Sequence, residues 1–501
     1  MAKFKRYDYS QKVLIPVCLE QQLVPDSLEF AIHTLVETRM DMSVFDSNYQ
    51  NDETGRSAYN PKILLKVVLF SYSRGLFTSR KIERACCENV TFMALSGNQR
   101  PDHSTIAAFV SSMKDQILAL FCDILLVCEQ ENLLGGSFFA LDGLKLPSNA
   151  SMQWSGKLSE LSKKKQKLQD KVKQLLEQQI TADQDDNMEL ADGSKRARQI
   201  GKLKKQAERI DRWLKENDAK IGAQGKELQS NVTDNESAKM KTSHGTIQGY
   251  NGQALVDKKR QVVIHAEAFG SGQDNTHLSP MIDGAKDNLK KIGQSEDYFE
   301  DKILTADSNY HSQSNLKKCR QEKLDAYIPD LKFRNRDSRF ATRPRNKPKK
   351  RKKFILDDFK YNKTADCYIC PYGKILRRNV KKLIRDRIIY RRYSADEKDC
   401  SKCPFTRRCF YHKNTKRRWL YVPIGAKETN FSKAMVKKID SDKGRKIYPQ
   451  RMAIVEPVFA NIRTHKHLDR FTLRSKIKVN IQWVLYCMVH NIEKIMNYAT
   501  V

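Results

Sequence analysis

Two short apolar segments of this chain end on an aspartate, and this feature limits the possible folds most strongly. The first covers 138–141 (FFAL) and is followed by Asp142 and Gly143; the second covers 302–306 (KILTA) and is followed by Asp307. Apolar runs of this length, bounded by turn residues, predict strands buried on both faces. A carboxylate at the end of such a strand is costly to bury unless a cation meets it. Two strand-end acids therefore suggest a site for a divalent cation.

The segments around these acids predict a mixed α/β sheet. The pattern predicts strands at 249–257, 261–269 and 326–328, and helices at 277–292 and 314–319. The resulting order is β, insert, β, β, α, β, α, β, in which three strands are followed by alternating helices and strands. This is the order of an RNase H-like domain with flanking helices.

The insert after the first strand predicts an antiparallel helical hairpin. Apolar residues recur at helical spacing from Leu158 to Leu175 and again from Ile200 to Ile221, and a polar, acidic loop at 181–193 separates them. Lys, Glu and Gln cover the other faces. The hairpin could be a solvated arm, or a clamp on DNA or on a partner subunit.

Residues 1 to about 130 predict short helices. Pro61 is expected at the first turn of one helix, Ser79 is expected to cap a second, and Asp102 a third that continues past Ile117. Basic residues lie at the junctions. The pattern fits a helix-turn-helix-like DNA-binding module, but a helical dimerisation unit would look similar.

The charge balance indicates a polyanionic partner. The 501 residues include 92 Lys and Arg against 59 Asp and Glu, a net charge of +33, and nucleic acid is the leading candidate. No apolar segment is long enough to span a membrane, and the N-terminus has no signal-peptide pattern. We therefore expect a cytoplasmic, nucleoid-associated protein whose twelve cysteines are not in disulfides.

A basic, Cys-rich region precedes the C-terminal helices. Residues 343–353 form a basic run with prolines, including Lys350 and Arg351, which could follow phosphates, act as an import signal or be a passive solvated loop. Paired CxxC motifs follow, and Cys370, Cys400, Cys403 and Cys409 could hold a structural Zn²⁺. Because Cys367 and His412 also lie nearby, the ligand set is ambiguous, and a reduced cluster without metal is the alternative. Basic and aromatic residues interleave here and predict a nucleic-acid face; they include Arg377, Arg378, Arg417 and Arg418.

The C-terminal section carries a third acid, Glu456. It lies in a predicted helix with Ile454, Val458, Phe459 and Ile462 on its apolar side, and Pro457 is tolerable there only near a helix start or at a kink. An amphipathic helix from about Lys476 to Tyr498 is expected to pack on the sheet.

In order and spacing, these motifs resemble the Asp-Asp-Glu (DDE) transposases of bacterial insertion sequences. The resemblance rests on Leu141-Asp142-Gly143, Thr305-Ala306-Asp307-Ser308-x-Tyr310 and Arg451-x4-Glu456-Pro-Val-Phe. The strand start at Gln248-Gly249-Tyr250-Asn251 and the late cysteine motifs point to the IS eleven-eighty-two-like branch. The resemblance covers nearly the whole chain.

That resemblance implies an RNase H-like catalytic domain in which Asp142, Asp307 and Glu456 hold two Mg²⁺ ions, with Mn²⁺ as a substitute. It implies cleavage at the ends of the element and strand transfer into target double-stranded DNA, by a homodimer. Tyr448, Arg451 and Arg463 match the family's Tyr-Arg-Glu-Lys signature as DNA-contacting residues. The Arg-to-Glu gap is one residue longer than usual, however, and Arg463 replaces a Lys.

The expected domains follow from these segments. They are a helical N-terminal DNA-binding or dimerisation domain (1–132), a catalytic domain in three parts (133–156, 229–335 and 446–501), the inserted hairpin (157–228) and the basic Cys-rich insertion (336–445). Two other functions fit the same sequence. One is a catalytically inactive, zinc-containing DNA-binding protein derived from such an enzyme; the other is an RNase H-like nuclease without strand transfer.

Overall fold

A computed structural model describes residues 17–49, 57–182, 190–222, 225–243, 245–340, 342, 353–385, 388–412, 414–423 and 431–499. The helices are α1 (Leu28–Thr38), α2 (Pro61–Ser73), α3 (Ser79–Glu88), α4 (Val90–Leu95), α5 (His103–Ser112), α6 (Ile117–Gln130), α7 (Leu158–Ala182), α8 (Leu190–Glu216), α9 (Leu278–Lys291), α10 (Gln313–Gln321), α11 (Phe333–Arg336), α12 (Glu397–Ser401), α13 (Thr406–Cys409), α14 (Phe431–Asp440), α15 (Asp442–Ile447), α16 (Gln450–Ala460) and α17 (Lys476–Tyr498). The strands are β1 (Phe138–Pro147), β2 (Ser155–Gly156), β3 (Ser230–Asn231), β4 (Ala238–Thr242), β5 (Gly245–Asp257), β6 (Val263–Phe269), β7 (Ile303–Ala306), β8 (Asp325–Tyr327), β9 (Lys360–Asn362), β10 (Cys367–Ile369), β11 (Ile375–Arg385), β12 (Ile388–Ala395) and β13 (Trp419–Pro423).

The described residues form two compact units. The first contains the described residues up to Ile328 and those from Asp442 onward, and the second spans Pro329–Ser441. None of the helices that these residues form combines the length and the apolar character that crossing a bilayer requires.

The first unit is built around a mixed sheet, which confirms the predicted α/β class. Its strand order is β4-β5-β1-β7-β8, and β6 pairs with the edge of β5 that faces away from β1. β1 is antiparallel to β5 but parallel to β7, with Leu141 opposite Ala306 at the end of the parallel ladder. β7 is in turn parallel to β8. The predicted strands at 249–257, 261–269 and 326–328 are confirmed.

Helices cover this sheet, and the largest contribution comes from α17. Its middle is buried: α17 packs on β6 and on α1, α2 and α6, so the predicted packing of the last helix on the sheet is confirmed. The Trp483 ring lies against Gly252, and its indole N–H donates to the Gln253 carbonyl at 2.8 Å. Tyr486 stacks on Tyr72 of α2 with ring centroids 4.9 Å apart. The N-terminal helices therefore share one core with the sheet.

The N-terminal helices follow the sequence signals closely. Pro61 occupies the first position of α2, as predicted, and the Asn60 side chain caps that helix. The capping prediction for Ser79 is wrong, because Thr78 holds the cap position and Ser79 is already helical. Asp102 caps α5 as predicted, but this helix ends at Ser112 and a new helix, α6, begins at Ile117.

The predicted hairpin is confirmed as α7 and α8. Leu161, Ile210 and Trp213 pack together with Val232 from the segment that follows the hairpin. The predicted acidic loop lies mostly outside the described residues. The short β2 and β3 pair at the base of the hairpin, which fixes where it leaves the sheet.

The second unit contains a sheet that the sequence pattern did not predict. Strands β9 to β13 form an antiparallel sheet in the order β13-β12-β11-β10-β9. Its core contains Phe359, Tyr368, Leu376, Tyr393 and Leu420, and Cys400 packs there as well.

Helix α16 carries the third predicted acid and contains Pro457 in its interior. Proline has no N–H, so the Ala453 carbonyl one turn earlier lacks its helical donor. The Gln261 side-chain amide donates to that carbonyl instead, at 3.0 Å. Directly after α16, Asn461–His465 form a π-helical turn, in which the Lys466 N–H donates to the Asn461 carbonyl. The predicted apolar side of this helix is confirmed.

Candidate active site

Asp142 and Asp307 follow directly after the last paired residues of two parallel strands. Since Leu141 is opposite Ala306, the next residue on each chain emerges at the same carboxyl edge of the sheet. Asp142 accepts the Gly143 N–H at 2.9 Å, and Asp307 accepts the Ser308 N–H at 2.5 Å. The two strand-end acids are therefore neighbours.

Burial raises the pKa of Asp142, and the nearby Asp307 carboxylate raises it further. Arg451 opposes both effects: its Nη1 lies 2.5 Å from Asp142 Oδ2, and the two side chains are only 12% and 25% exposed. Arg451 thus supplies the cation that a buried strand-end acid requires. The contact also joins α16 to β1 at the site.

Glu456 is not brought beside the other two acids. It is exposed, and five residues after Arg451 it lies about 140° around the helix axis from the residue that touches Asp142. Within the described ranges, no three His, Cys, Asp or Glu side chains are arranged so that they could hold a metal ion. The structure unites two of the three predicted acids, and the helix turns the third toward solvent.

A third carboxylate, Asp274, lies beside the pair and is the centre of a buried polar network. It is 8% exposed and accepts from the side chains of Lys145 (3.1 Å), Asn251 (2.6 Å), Gln253 (3.2 Å) and Asn309 (3.3 Å). The Tyr310 hydroxyl donates to Gln253 from the other side. Burial raises the pKa of Tyr310, and Asp142 and Asp274 both add to the shift, so the network adjoins the acid pair.

The sequence patterns did not assign a role to Asp274. The available signal was the alternation of Asn251 and Gln253 in an otherwise apolar strand, because two amides on one face of a buried strand need polar partners. Cross-strand pairing places Lys145 beside Asn251 and Gly143 beside Gln253.

Position 143 requires glycine because neighbouring side chains lie very close to it, and not because of its backbone angle. A Cβ built there would lie 2.0 Å from the Gln253 amide nitrogen and 2.5 Å from the Asn251 amide oxygen. The Asp-Gly pair at this strand end is therefore one unit: the acid serves the site, and the glycine leaves room for the Asp274 network.

The four predicted zinc ligands lie in the second unit around one small cavity. Cys370, Cys400, Cys403 and Cys409 line it together with Arg418. Burial raises the pKa of the Cys409 thiol to about 11, Arg418 opposes this, and the other three thiols add to the shift. The cysteines are gathered, but their arrangement in this structure is not one that could hold a metal ion.

The predicted DNA-contacting residues occupy different environments. Arg377 is exposed on β11, where Arg378 pairs with Asp366. Arg417 pairs with Glu397 at 3.0 Å, and Arg418 stacks on Phe359 and Tyr411 and donates to the Cys409 carbonyl.

The remaining predicted contacts flank α16. Tyr448 lies between α15 and α16, and Arg463 lies in the π turn, 3.6 Å from Asp469. Lys350 and Arg351 lie outside the described residues.

The fold and the paired acids define a mixed α/β protein with an acidic site at the carboxyl edge of its sheet. Two family models match the chain, Transposase domain (DUF772) over residues 17–112 and Transposase DDE domain over residues 369–496. They support a DDE transposase family and imply an enzyme of the nuclease or transposase type. The second match includes Glu456 and the four cysteines, whereas Asp142 and Asp307 lie outside both ranges. No curated protein matches the chain.

Proposed function

We propose that the protein is a DNA transposase of the IS eleven-eighty-two-like branch, which cleaves the ends of an insertion sequence and transfers the strand into target DNA. One observation carries the proposal: the parallel pairing of β1 and β7 sets Asp142 and Asp307 side by side. Five of the six strands run in the order β6-β5-β1-β7-β8, in which β6, β5 and β1 are antiparallel neighbours and β7 and β8 are parallel to β1, and this order supports an RNase H-like catalytic domain. The two transposase family matches support the same reading.

The acid pair suits a hard divalent cation. Mg²⁺ prefers carboxylate oxygens and keeps positions for water and phosphate, and Asp142 and Asp307 present such oxygens at a partly open edge. Two bound Mg²⁺ ions, or Mn²⁺ in their place, would activate the attacking hydroxyl and stabilise the leaving oxygen. Asp142 and Asp307 would hold them. Arg451 lowers the pKa of Asp142 against the effect of burial and, when released, can donate two parallel bonds to a phosphate beside the scissile bond.

In this proposal Glu456 joins Asp142 and Asp307 as the third metal ligand only after helix α16 changes its orientation. The exposed position of Glu456 favours a second candidate, an inactive DNA-binding protein derived from such an enzyme. The two candidates predict different results for cleavage and the same result for DNA binding. The enzyme cleaves DNA and needs Glu456 to do so, whereas the inactive protein does not cleave DNA. Both need the basic residues for DNA binding.

The DNA partner is proposed from charge. A surplus of +33 exceeds what solubility needs, and the exposed Arg377 and the half-buried Arg417, with Arg463 and Tyr448 beside α16, would contact the phosphates of double-stranded DNA. We expect a homodimer on two element ends, acting in the cytoplasm on the nucleoid. A structural Zn²⁺ at the four cysteines would require their side chains to rearrange around the cavity.

The test is cleavage of duplexes that carry the terminal repeats of the element, with Mg²⁺. We expect nicking by the wild-type protein, a loss of roughly 100-fold or more in Asp307→Asn and in Glu456→Gln, and retained DNA binding by both. A joined product with target DNA separates a transposase from a nuclease without strand transfer. Equal nicking by the wild-type protein and Asp307→Asn would refute the proposal.

A further inference from the structure

The outer face of α8 carries a row of basic side chains that the catalytic site does not use. Arg198, Lys202, Lys205 and Arg209 are all exposed and line one open groove with Trp154 at its foot. Their spacing of four, three and four residues keeps them on one side of the helix. We call these four residues the basic stripe.

The basic stripe extends along the arm instead of converging on one point. Eleven residues of helix span about 16 Å, so the four cations stand about 5 Å apart along the axis. A single phosphate would contact only one or two of them. A duplex carries one phosphate per strand for about every 3.4 Å of its axis, and therefore presents a row of anions of matching length.

Within the part of the chain that the structure describes, the basic stripe differs from the other side of the hairpin in how its cations are paired. Among the described residues, no carboxylate lies within ion-pair distance of any of the four. The opposite groove of the hairpin differs, because Lys173 and Lys204 line it together with Glu208 and Asp211, and Asp211 forms ion pairs with Lys165 and Lys215. The opposite groove therefore contains two carboxylates among its cations, whereas no carboxylate lines the groove of the basic stripe.

Trp154 fixes the foot of the basic stripe. The Arg209 guanidinium lies 5.2 Å and the Lys164 ammonium 5.5 Å from the centre of its ring, which is close enough for cation–π attraction. The Trp154 carbonyl accepts the Val232 N–H at 3.0 Å, and the Trp154 side chain packs against the cluster that contains Leu161, so the ring is anchored at the base of the arm. This contact holds Arg209 at the foot of the basic stripe without pairing it with a carboxylate.

From this charge pattern we infer that the α7–α8 hairpin is a DNA-binding arm whose basic stripe contacts the phosphates of duplex DNA. The inference rests on the proposed function for its choice of polyanion. It assigns the hairpin to DNA instead of to a partner subunit.

The first test measures binding of the full-length protein to a 60-base-pair duplex of mixed sequence over a range of salt. Lys202→Ala/Lys205→Ala removes two contacts, so the slope of log K against log salt should fall by about 1.8, with up to about 60-fold weaker binding at 0.1 M salt. Lys173→Ala/Lys204→Ala makes the same change of charge in the opposite groove, which also contains Glu208 and Asp211, and its slope should match the wild-type slope. Equal slopes for both variants would overturn the inference.

The second test gives a positive signal. A benzophenone amino acid in place of Gln206, which lines the basic groove, should crosslink to the duplex. The same group in place of Gln169, which lines the opposite groove, should not. Crosslinking from position 206 to a second protein chain instead of DNA would overturn the inference.

The two proposals fail separately. If the wild-type protein nicks DNA, but the stripe variant keeps the wild-type salt slope and position 206 gives no crosslink to DNA, only the inference of a DNA-binding arm fails. If the stripe variant loses affinity while the wild-type protein does not nick DNA with Mg²⁺, the arm stands and the transposase proposal falls.

Discussion

The ion pair between Arg451 and Asp142 should be one of the most costly single contacts to break in the first unit. Removing one partner of a buried pair leaves an uncompensated charge and costs about 3–5 kcal/mol. Because Asp142 is 25% exposed and water can reach it, we expect Arg451→Met to lower the free energy of unfolding by about 3 kcal/mol. Asp142→Asn in the same chain should restore most of this loss, since an amide has no charge to desolvate.

The loss should depend on pH in a defined direction. Arg451 lowers the pKa of Asp142 against the effect of burial, so its removal raises the folded-state pKa further above the ordinary value. A folded carboxyl with a raised pKa takes up a proton before the unfolded one does. The loss of unfolding free energy in Arg451→Met is therefore largest above the folded-state pKa of Asp142 in this variant, and it becomes smaller as the pH falls through that pKa.

Urea unfolding followed by tryptophan fluorescence at pH 8 and pH 5 measures both effects. Arg463→Met is the matched control, because this ion pair with Asp469 is exposed and should contribute less than about 1 kcal/mol. A deficit below about 0.5 kcal/mol for Arg451→Met, equal at the two pH values, would refute the reasoning.

Three further changes test other parts of the site. Gly143→Ala should cost about 1–3 kcal/mol, because the new methyl group collides with Gln253; a thermal melt equal to wild type would contradict the packing. Asp274→Asn should lower nicking by about 10- to 100-fold, because Lys145 loses its buried acid; unchanged nicking at normal metal affinity would remove the network from the mechanism. Lys466→Met should lower the free energy of unfolding in urea by about 3–5 kcal/mol, because Glu493, which is largely buried, loses the fully buried cation that pairs with it. A loss below about 1 kcal/mol would show that the pair is well solvated.

The strands that carry Asp142 and Asp307 were predictable because each is a short apolar run with its own local boundary. The parallel pairing that makes the acids neighbours follows from the alternation of strands and helices. The confirmed helices at Pro61, at Asp102 and in the hairpin likewise depend on caps and apolar spacing, which are local in the chain.

The orientation of Glu456 could not be predicted in this way. Apolar spacing defines the buried side of α16, but which exposed residue faces the sheet edge depends on how the helix packs on β1. Asp274 was missed for a related reason: its four partners come from β1, β5 and the segment after β7, and converge only in the folded chain.

The sheet of the second unit was not predicted because charged residues obscure the alternating pattern of its strands. Arg and Lys occupy many positions of β11 and β12, and the pairing slips at Arg378/Val380 and at Val380/Leu383, which interrupts the two-residue period. An alternating pattern that contains such irregularities is difficult to recognise in a sequence.

The π turn at Asn461–His465 gives helix α16 a second possible register. A π turn holds one residue more than an α turn, and Pro457 already weakens the ladder between the two ends of the helix. If the extra residue moves to the N-terminal side of Glu456, each intervening residue takes the position that the residue before it holds now. Glu456 then takes the place that Val455 holds now, on the side of the helix that carries Arg451.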